Sequence, residues 1–180
     1  MKKVSFVQAI LMVCMLFFGS SLNAQTSTEE FNLDKKALLN SISDASESDK
    51  LALESIKSIN SRMYRDFSKN YKNATDIRVS KVDNHSSISC YIDGSLTRIM
   101  YRKNGRWQHT VRTYENEKLP AEVRELVSGA YPRYSIFGGV IEVNVGTKTA
   151  YLVTIEDKTC WKRIRVVEDE MDVYEEYVKK

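Results

Sequence analysis

Two histidines, three cysteines and a run of acids are the residue types in this 180-residue chain that could carry chemistry. His85 sits in Asp83-Asn84-His85-Ser86, which reads as a turn, and His109 sits in a strand-like run. A general base needs a nucleophile or substrate within hydrogen-bond reach, and the sequence pairs neither histidine with one. Asp83 and His85 could be taken for a metal pair, but two such residues in a hairpin turn are ordinary turn chemistry. The acids Glu168, Asp169, Glu170 and Asp172 suit a hard cation, yet the calcium-loop spacing with its central glycine is missing, so a solvated, charged terminus is the expectation. Cys90 and Cys160 show no CxxC or Cys/His ligand spacing. No GxSxG, HExxH, P-loop or GxGxxG pattern occurs. The chain is therefore expected to be a non-enzyme, with no catalytic residue, no cofactor and no metal.

The chemistry that remains is recognition. Trp107 and Trp161 stand 54 positions apart in two stretches of similar build, Asn104-Gly105-Arg106-Trp107-Gln108-His109 and Lys158-Thr159-Cys160-Trp161-Lys162-Arg163. Each follows a strand-like run, and a period of this length is what duplicated supersecondary units produce. Arg98, Arg102, Lys103, Arg106 and Arg112 flank the first tryptophan. Lys158, Lys162, Arg163 and Arg165 flank the second. Tryptophan beside arginine is the composition of interface anchors, and it is also that of a ring packed at a sheet edge under arginine stems. Both readings stand for Trp161; for Trp107 the packed one is favoured. The candidate binding residues are Trp161, Arg163, Arg165, Trp107 and His109.

These residues need a scaffold. Ser48 is a good N-cap for a helix whose apolar face is Leu51, Ile56, Ile59, Met63, Phe67 and Tyr71, ending near Asn70. Four strand-like segments follow: 77–83, 87–93, 96–102 and 106–114. Asp93-Gly94 and Asn104-Gly105 mark tight turns between them, which makes an antiparallel meander. Pro120 opens a short second helix with Val123, Leu126 and Val127 on one side, and Tyr131-Pro132 ends it. Ile136 to Val145 is a strand in which Gly138-Gly139 invites a bulge. Strands around Tyr151–Ile155 and Cys160–Val167 come next, and the acidic end from Glu168 to Glu176 is either a last strand or a short helix. Alternation sends Ile164 and Val166 to one face and Trp161, Arg163 and Arg165 to the other. With helices on one face, the second is left for solvent or a partner. By the 54-residue displacement, Trp107 and His109 fall on that same face of the first unit.

The expected fold class is α+β: two tandem helix-plus-antiparallel-sheet units, residues 48–116 and 117–180, with helices packed on one sheet face. Before them come a signal peptide, 1–24, and a polar flexible leader, 25–47, with a short helical tendency around Phe31 to Ile42. Lys2 and Lys3 form a basic start, Val4 to Phe18 is mostly apolar, and Leu22-Asn23-Ala24 is a plausible cleavage site. The apolar run is too short for a convincing membrane anchor. Cys14 is preceded by Val13 rather than a small residue, which argues against lipidation. The expected location is periplasmic or secreted, without membrane insertion after cleavage. Once the two leading lysines are removed, 27 basic and 24 acidic residues leave a net charge of only +1. That balance argues against nucleic acid. The expected partner is a protein in the cell envelope or an anionic ligand, and the oligomeric state is open. A disulfide between Cys90 and Cys160 and two buried free thiols are both compatible with an exported chain.

The layout resembles the PepSY-like, β-lactamase-inhibitor-protein-like group of small secreted proteins from Gram-negative bacteria, from about Asp66 to Tyr177. The residues that carry it are the helix end Phe67…Tyr71-Lys72-Asn73-Ala74 and the strand opening Gly105-Arg106-Trp107. Leu119-Pro120-Ala121-Glu122-Val123 and Tyr131-Pro132-Arg133-Tyr134-Ser135-Ile136…Glu142-Val143 add to it. The resemblance implies tandem α/β units with helices on an antiparallel sheet and, for most members, no assigned activity. The inhibitor that gives the fold its name binds its partner through the open sheet face. Many relatives carry Trp in the first strand, where this chain has Ile77-Arg78-Val79. On this reading the protein is an exported binding or inhibitory module, the alternative being a structural or envelope-stress protein without a discrete ligand.

Overall fold

A computed structural model describes the backbone of residues 35–179 and the side chains from Glu47 onward, Val82 excepted. The signal peptide and most of the polar leader lie outside the described residues. Helix α1 spans Lys35–Ile59 and α2 spans Ser61–Asn70. One helix from Ser48 to Asn70 was the expectation. Instead the helix begins at Lys35, within the polar leader where a short helical tendency around 31–42 is expected, and breaks at Asn60. Asn60 is extended (φ −162°, ψ 114°), and its side-chain oxygen accepts from the backbone N–H of Arg62 and Met63. It thereby supplies the cap for orphan donors at the start of α2. Met63 and Phe67, four residues apart, then bury one face of α2.

The strands are β1 (Thr75–Val82), β2 (His85–Ile92), β3 (Ser95–Arg102), β4 (Trp107–Glu115), β5 (Ser135–Ile136), β6 (Gly139–Val145), β7 (Lys148–Glu156), β8 (Cys160–Val167) and β9 (Glu170–Val178). Helix α3, Ala121–Ala130, follows β4 after a short 3-10 turn. The strands form one antiparallel sheet in the order β1-β2-β3-β4-β6-β7-β8-β9, with β5 also paired to β7. Two-residue turns join most neighbours. Asp93 and Gly94 both take positive φ, the conformation a tight hairpin demands. The acidic end is a strand, β9, which resolves the two readings left open for it.

The helices share one sheet face. Ile56, Met63 and Phe67 pack on Ile88, Cys90, Ile99 and Tyr101 in one apolar cluster. Val123 and Val127 of α3 pack on Val140, Val153, Ile155, Ile164 and Val166 in the other. Register carries the same face from Ile99 through Thr110 to Asn144. Between the clusters the face is polar: Glu142 accepts from Tyr114 Oη at 2.9 Å and from Asn144 Nδ2 at 2.8 Å, and stands 3.8 Å from Arg112 Nη1. Both clusters and the whole sheet lie in one compact unit, Leu39–Lys180. Cys90 and Cys160 are buried free thiols. Burial pushes the Cys90 thiol up to about 11, which keeps it in the unreactive protonated form.

Candidate functional site

Strand β8 positions the candidate residues. Its pairing with β7 runs without interruption from Val167 to Trp161, so strict alternation holds along it. Ile164 and Val166 are fully buried under α3, and Trp161, Arg163 and Arg165 point to the opposite face, helix-free among the described residues. Their cross-strand neighbours on that face are Glu156, Thr154 and Leu152 of β7.

On its other side β8 meets β9, and the acids of β9 meet the cations of β8. Arg165 holds Asp172 with two bonds, Nε–Oδ1 at 2.9 Å and Nη2–Oδ2 at 2.8 Å. Arg163 Nη1 donates to Glu175 at 3.0 Å, and Lys162 Nζ, on the helix side, to Glu176 at 2.7 Å. The bond to Glu176 raises the Lys162 pKa. Trp161 stacks on Tyr177 with ring centroids 4.2 Å apart. One extra residue, Tyr174, separates the Arg163–Glu175 and Ile164–Val173 pairs and keeps both halves of β9 in phase with β8. The two arginines are thus largely sheltered, with 19% and 13% of their side chains exposed. Of the acids expected to form a solvated terminus, Glu168, Asp169, Glu170 and Asp172, the last is half exposed yet bound to Arg165. The missing signal was the two-residue turn Glu168–Asp169, which sets acid opposite base.

The helix-free face is not uniformly open. Val111, Val143, Ala150 and Leu152 lie at its centre and are buried. The exposed apolar groups stand toward its ends: Tyr91 and Leu96 on β2 and β3, Phe137 and Tyr177 near β8. At the β8 end a cavity of about 360 Å³ is lined by Phe137, Gly138, Gly139, Thr154, Glu156, Trp161 and Arg163. The bulge expected at Gly138-Gly139 builds it. Ser135 and Ile136 pair with Glu156 and Ile155, whereas Ile141 pairs with Leu152, so the strand holds extra residues between. Gly138 takes φ +66°, and Phe137, 56% exposed, is thrust out beside Thr154, whose carbonyl accepts its N–H at 2.9 Å. Phe137 carried no signal of its own in the sequence.

Trp107 and His109 part company. The β3–β4 register slips at Gln108: Met100 pairs with His109, but Tyr101 pairs with Trp107. The slip turns Trp107 to the helix side, where it packs on the first cluster and donates Nε1–H to Thr110 Oγ1 at 2.9 Å. This differs from the expectation that Trp107 shares a face with Trp161. His109 does reach the helix-free face, as expected, but only 8% of it is exposed. Burial, with the charge of His85 second, holds its pKa down to about 4. Trp161, Arg163 and Arg165 therefore stand together, while His109 and Trp107 lie elsewhere. At the far end a second cavity of about 360 Å³ includes Arg78, Tyr91, Leu96 and Arg98, and Arg78 is already paired with Asp76 at 3.1 Å.

Among the described residues no three His, Cys, Asp or Glu side chains converge as a metal cage. Among them, too, no helix is long and apolar enough to cross a membrane. No protein-family model matches the chain. No curated protein matches it either. Solved structures do. A BLIP-like protein from Bacteroides fragilis superposes with a TM-score of 0.51 at 18% identity, over 66% of this chain and 85% of that one. A DUF2874 family protein from Bacteroides uniformis gives 0.50 at 12%, over 65% and 87%. A candidate periplasmic protein from Bacteroides eggerthii gives 0.50 at 14%, over 65% and 86%. At such identities the likeness concerns the backbone: this chain has a BLIP-like α+β fold.

Proposed function

We propose that the protein is an exported, non-enzymatic binding or inhibitory module that engages a partner protein in the cell envelope, or an anionic ligand, at the β8 end of its helix-free sheet face. One observation carries this reading: Trp161 and Arg163 line a cavity with an exposed phenylalanine that the bulge at Gly138 holds out. An aromatic anchor beside an arginine in a concave place is the composition of binding hot spots. The BLIP-like neighbour and the candidate periplasmic one support an inhibitor-like, periplasmic role by analogy of fold, which is a weaker warrant than the site. The basic-then-apolar start of the sequence supports export through a cleaved signal peptide. The order of helix then antiparallel strands, α1-α2-β1 to β4 and again α3-β5 to β9, supports two PepSY-like units fused in one sheet.

A second reading has its own observation. Arg163 and Arg165 are already paired with Glu175 and Asp172, as they would be in an envelope protein with no discrete ligand. Capture of a partner from a periplasmic extract separates the two. A Trp161→Ala/Arg163→Ala double variant that melts near the parent should lose a stoichiometric partner the parent retains. Should the parent retain none, the second reading stands. Should the double variant unfold, the two residues are framework and the first reading loses its basis.

A further inference from the structure

Resting on that reading of the Trp161 face, we propose that the Phe137–Trp161 cavity is one half of a bipartite site for an extended acidic peptide. An apolar side chain of the peptide enters this cavity, and a neighbouring carboxylate reaches Arg133 and Lys158. A larger cavity, about 620 Å³, adjoins the first. It is lined by Arg133, Ser135, Glu156, Asp157, Lys158 and Lys179, and Glu156 belongs to both.

The charges of the second cavity do not cancel. Glu156 is held by Lys179 Nζ at 2.7 Å. Asp157 is occupied by its own turn: its Oδ1 accepts from the N–H of Cys160 and Thr159 at 2.7 Å each and from Thr159 Oγ1 at 2.9 Å. Arg133 and Lys158 are both exposed, and among the described residues neither is in an ion pair. Three cations face two carboxylates in this cavity, an excess of one positive charge, and the two cations outside any ion pair are the ones open to an anion. A short strand, β5, lies beside both cavities, Ser135 lining one and Phe137, next to its end, the other. Among the described residues β5 pairs only with β7, so the outer edge of Ser135–Ile136 offers backbone groups to a chain laid along it. An extended peptide can use such an edge and place alternate side chains in flanking pockets. A small anion would use neither the edge nor the aromatic cavity.

The test is fluorescence anisotropy on the purified protein with two labelled hexapeptides, one carrying a phenylalanine among aspartates and the other the same phenylalanine among lysines. The aspartate peptide should bind at least about tenfold tighter than the lysine peptide, and more weakly as salt rises. Phe137→Ala and Arg133→Ala/Lys158→Ala, both at exposed positions, should each weaken it about tenfold without moving the melting temperature. Polygalacturonate, an acidic polymer with no peptide edge, should fail to compete at equal charge. Equal binding of both peptides, no binding of either, unaltered binding by the variants, or full competition by the polysaccharide would each overturn the proposal. Peptide binding lost in Trp161→Ala but kept in the other variants overturns the bipartite site alone and leaves the Trp161 face standing. Partner capture reports on that wider reading independently.

Discussion

The side chain of Asn60 lies against Gly105: a Cβ built on Gly105 would overlap the Asn60 carboxamide, and Asn60 Nδ2 donates to the carbonyl of Lys103 at 3.3 Å. One asparagine thus starts α2 and pins that helix to the β3–β4 turn. Gly105 also takes φ +72°, so an alanine there meets both backbone strain and a displaced cap. Gly105→Ala should cost about 2–3 kcal/mol, from a left-handed residue plus a lost cap. Asn60→Ala alone should cost about 1 kcal/mol. Because the two touch, the double variant should be more stable than the sum of the singles implies, which urea denaturation in a double-mutant cycle would reveal.

The acid–base pairs of β8 and β9 should be unequal. Asp172 holds a guanidinium that is 13% exposed and whose Nη1 is buried without a hydrogen bond. Asp172→Ala removes both of its bonds to Arg165 and should cost about 2 kcal/mol, as a sheltered charge losing its partner does. Glu176 makes a single bond, to an ammonium just as sheltered, but Lys162 has no orphaned buried atom and Gln keeps an acceptor in place, so Glu176→Gln should cost about 1 kcal/mol or less. Thermal melts at equal salt check the order, and similar losses for both would contradict it.

His109 gives the protein an acid-sensitive stability. In the unfolded chain this histidine takes up a proton as pH falls through about 6.5, whereas in the fold burial keeps it neutral down to about 4. Between those values the unfolded state binds more protons, so stability falls as pH is lowered from 6.5 to 4, and this contribution levels off below 4. At about 1.4 kcal/mol per pKa unit the full loss is a few kcal/mol. Denaturation of the parent and of His109→Gln across this window should show the extra loss in the parent only. Parallel pH profiles would place the sensitivity elsewhere.

How far the sequence was legible depended on register. β8 runs beside β7 without a slip, so alternation sorted Ile164 and Val166 from Trp161, Arg163 and Arg165. In β4 the same argument put Trp107 on the wrong face, because the slip at Gln108 carries neither glycine nor proline to announce it. The Gly138-Gly139 bulge did announce itself, and Phe137 acquired its place through it. The helical tendency of 31–42 shows in the sequence, but the polar composition of 25–47 hides that one helix runs unbroken from Lys35 to Ile59. The pairing of Asp172 and Glu175 with arginines is non-local, and only the fold of the last hairpin brings it about.

Export should be testable apart from binding. If the N-terminal segment directs export and is removed, the purified native chain should begin at Gln25 by mass spectrometry and fractionate with the periplasm or the medium. A chain retaining Met1 in the cytoplasm would contradict that assignment.

The most direct measurement of the central claim is site-specific photocrosslinking in the intact cell envelope. Phe137→p-benzoylphenylalanine places the probe at the mouth of the Trp161 cavity, and the same replacement at Ser128, exposed on α3, serves as the control. A discrete adduct at position 137, absent at 128 and lost when Trp161→Ala is added, is the result a binding surface at the β8 end predicts. No adduct at 137, or the same adducts from both positions, would contradict it.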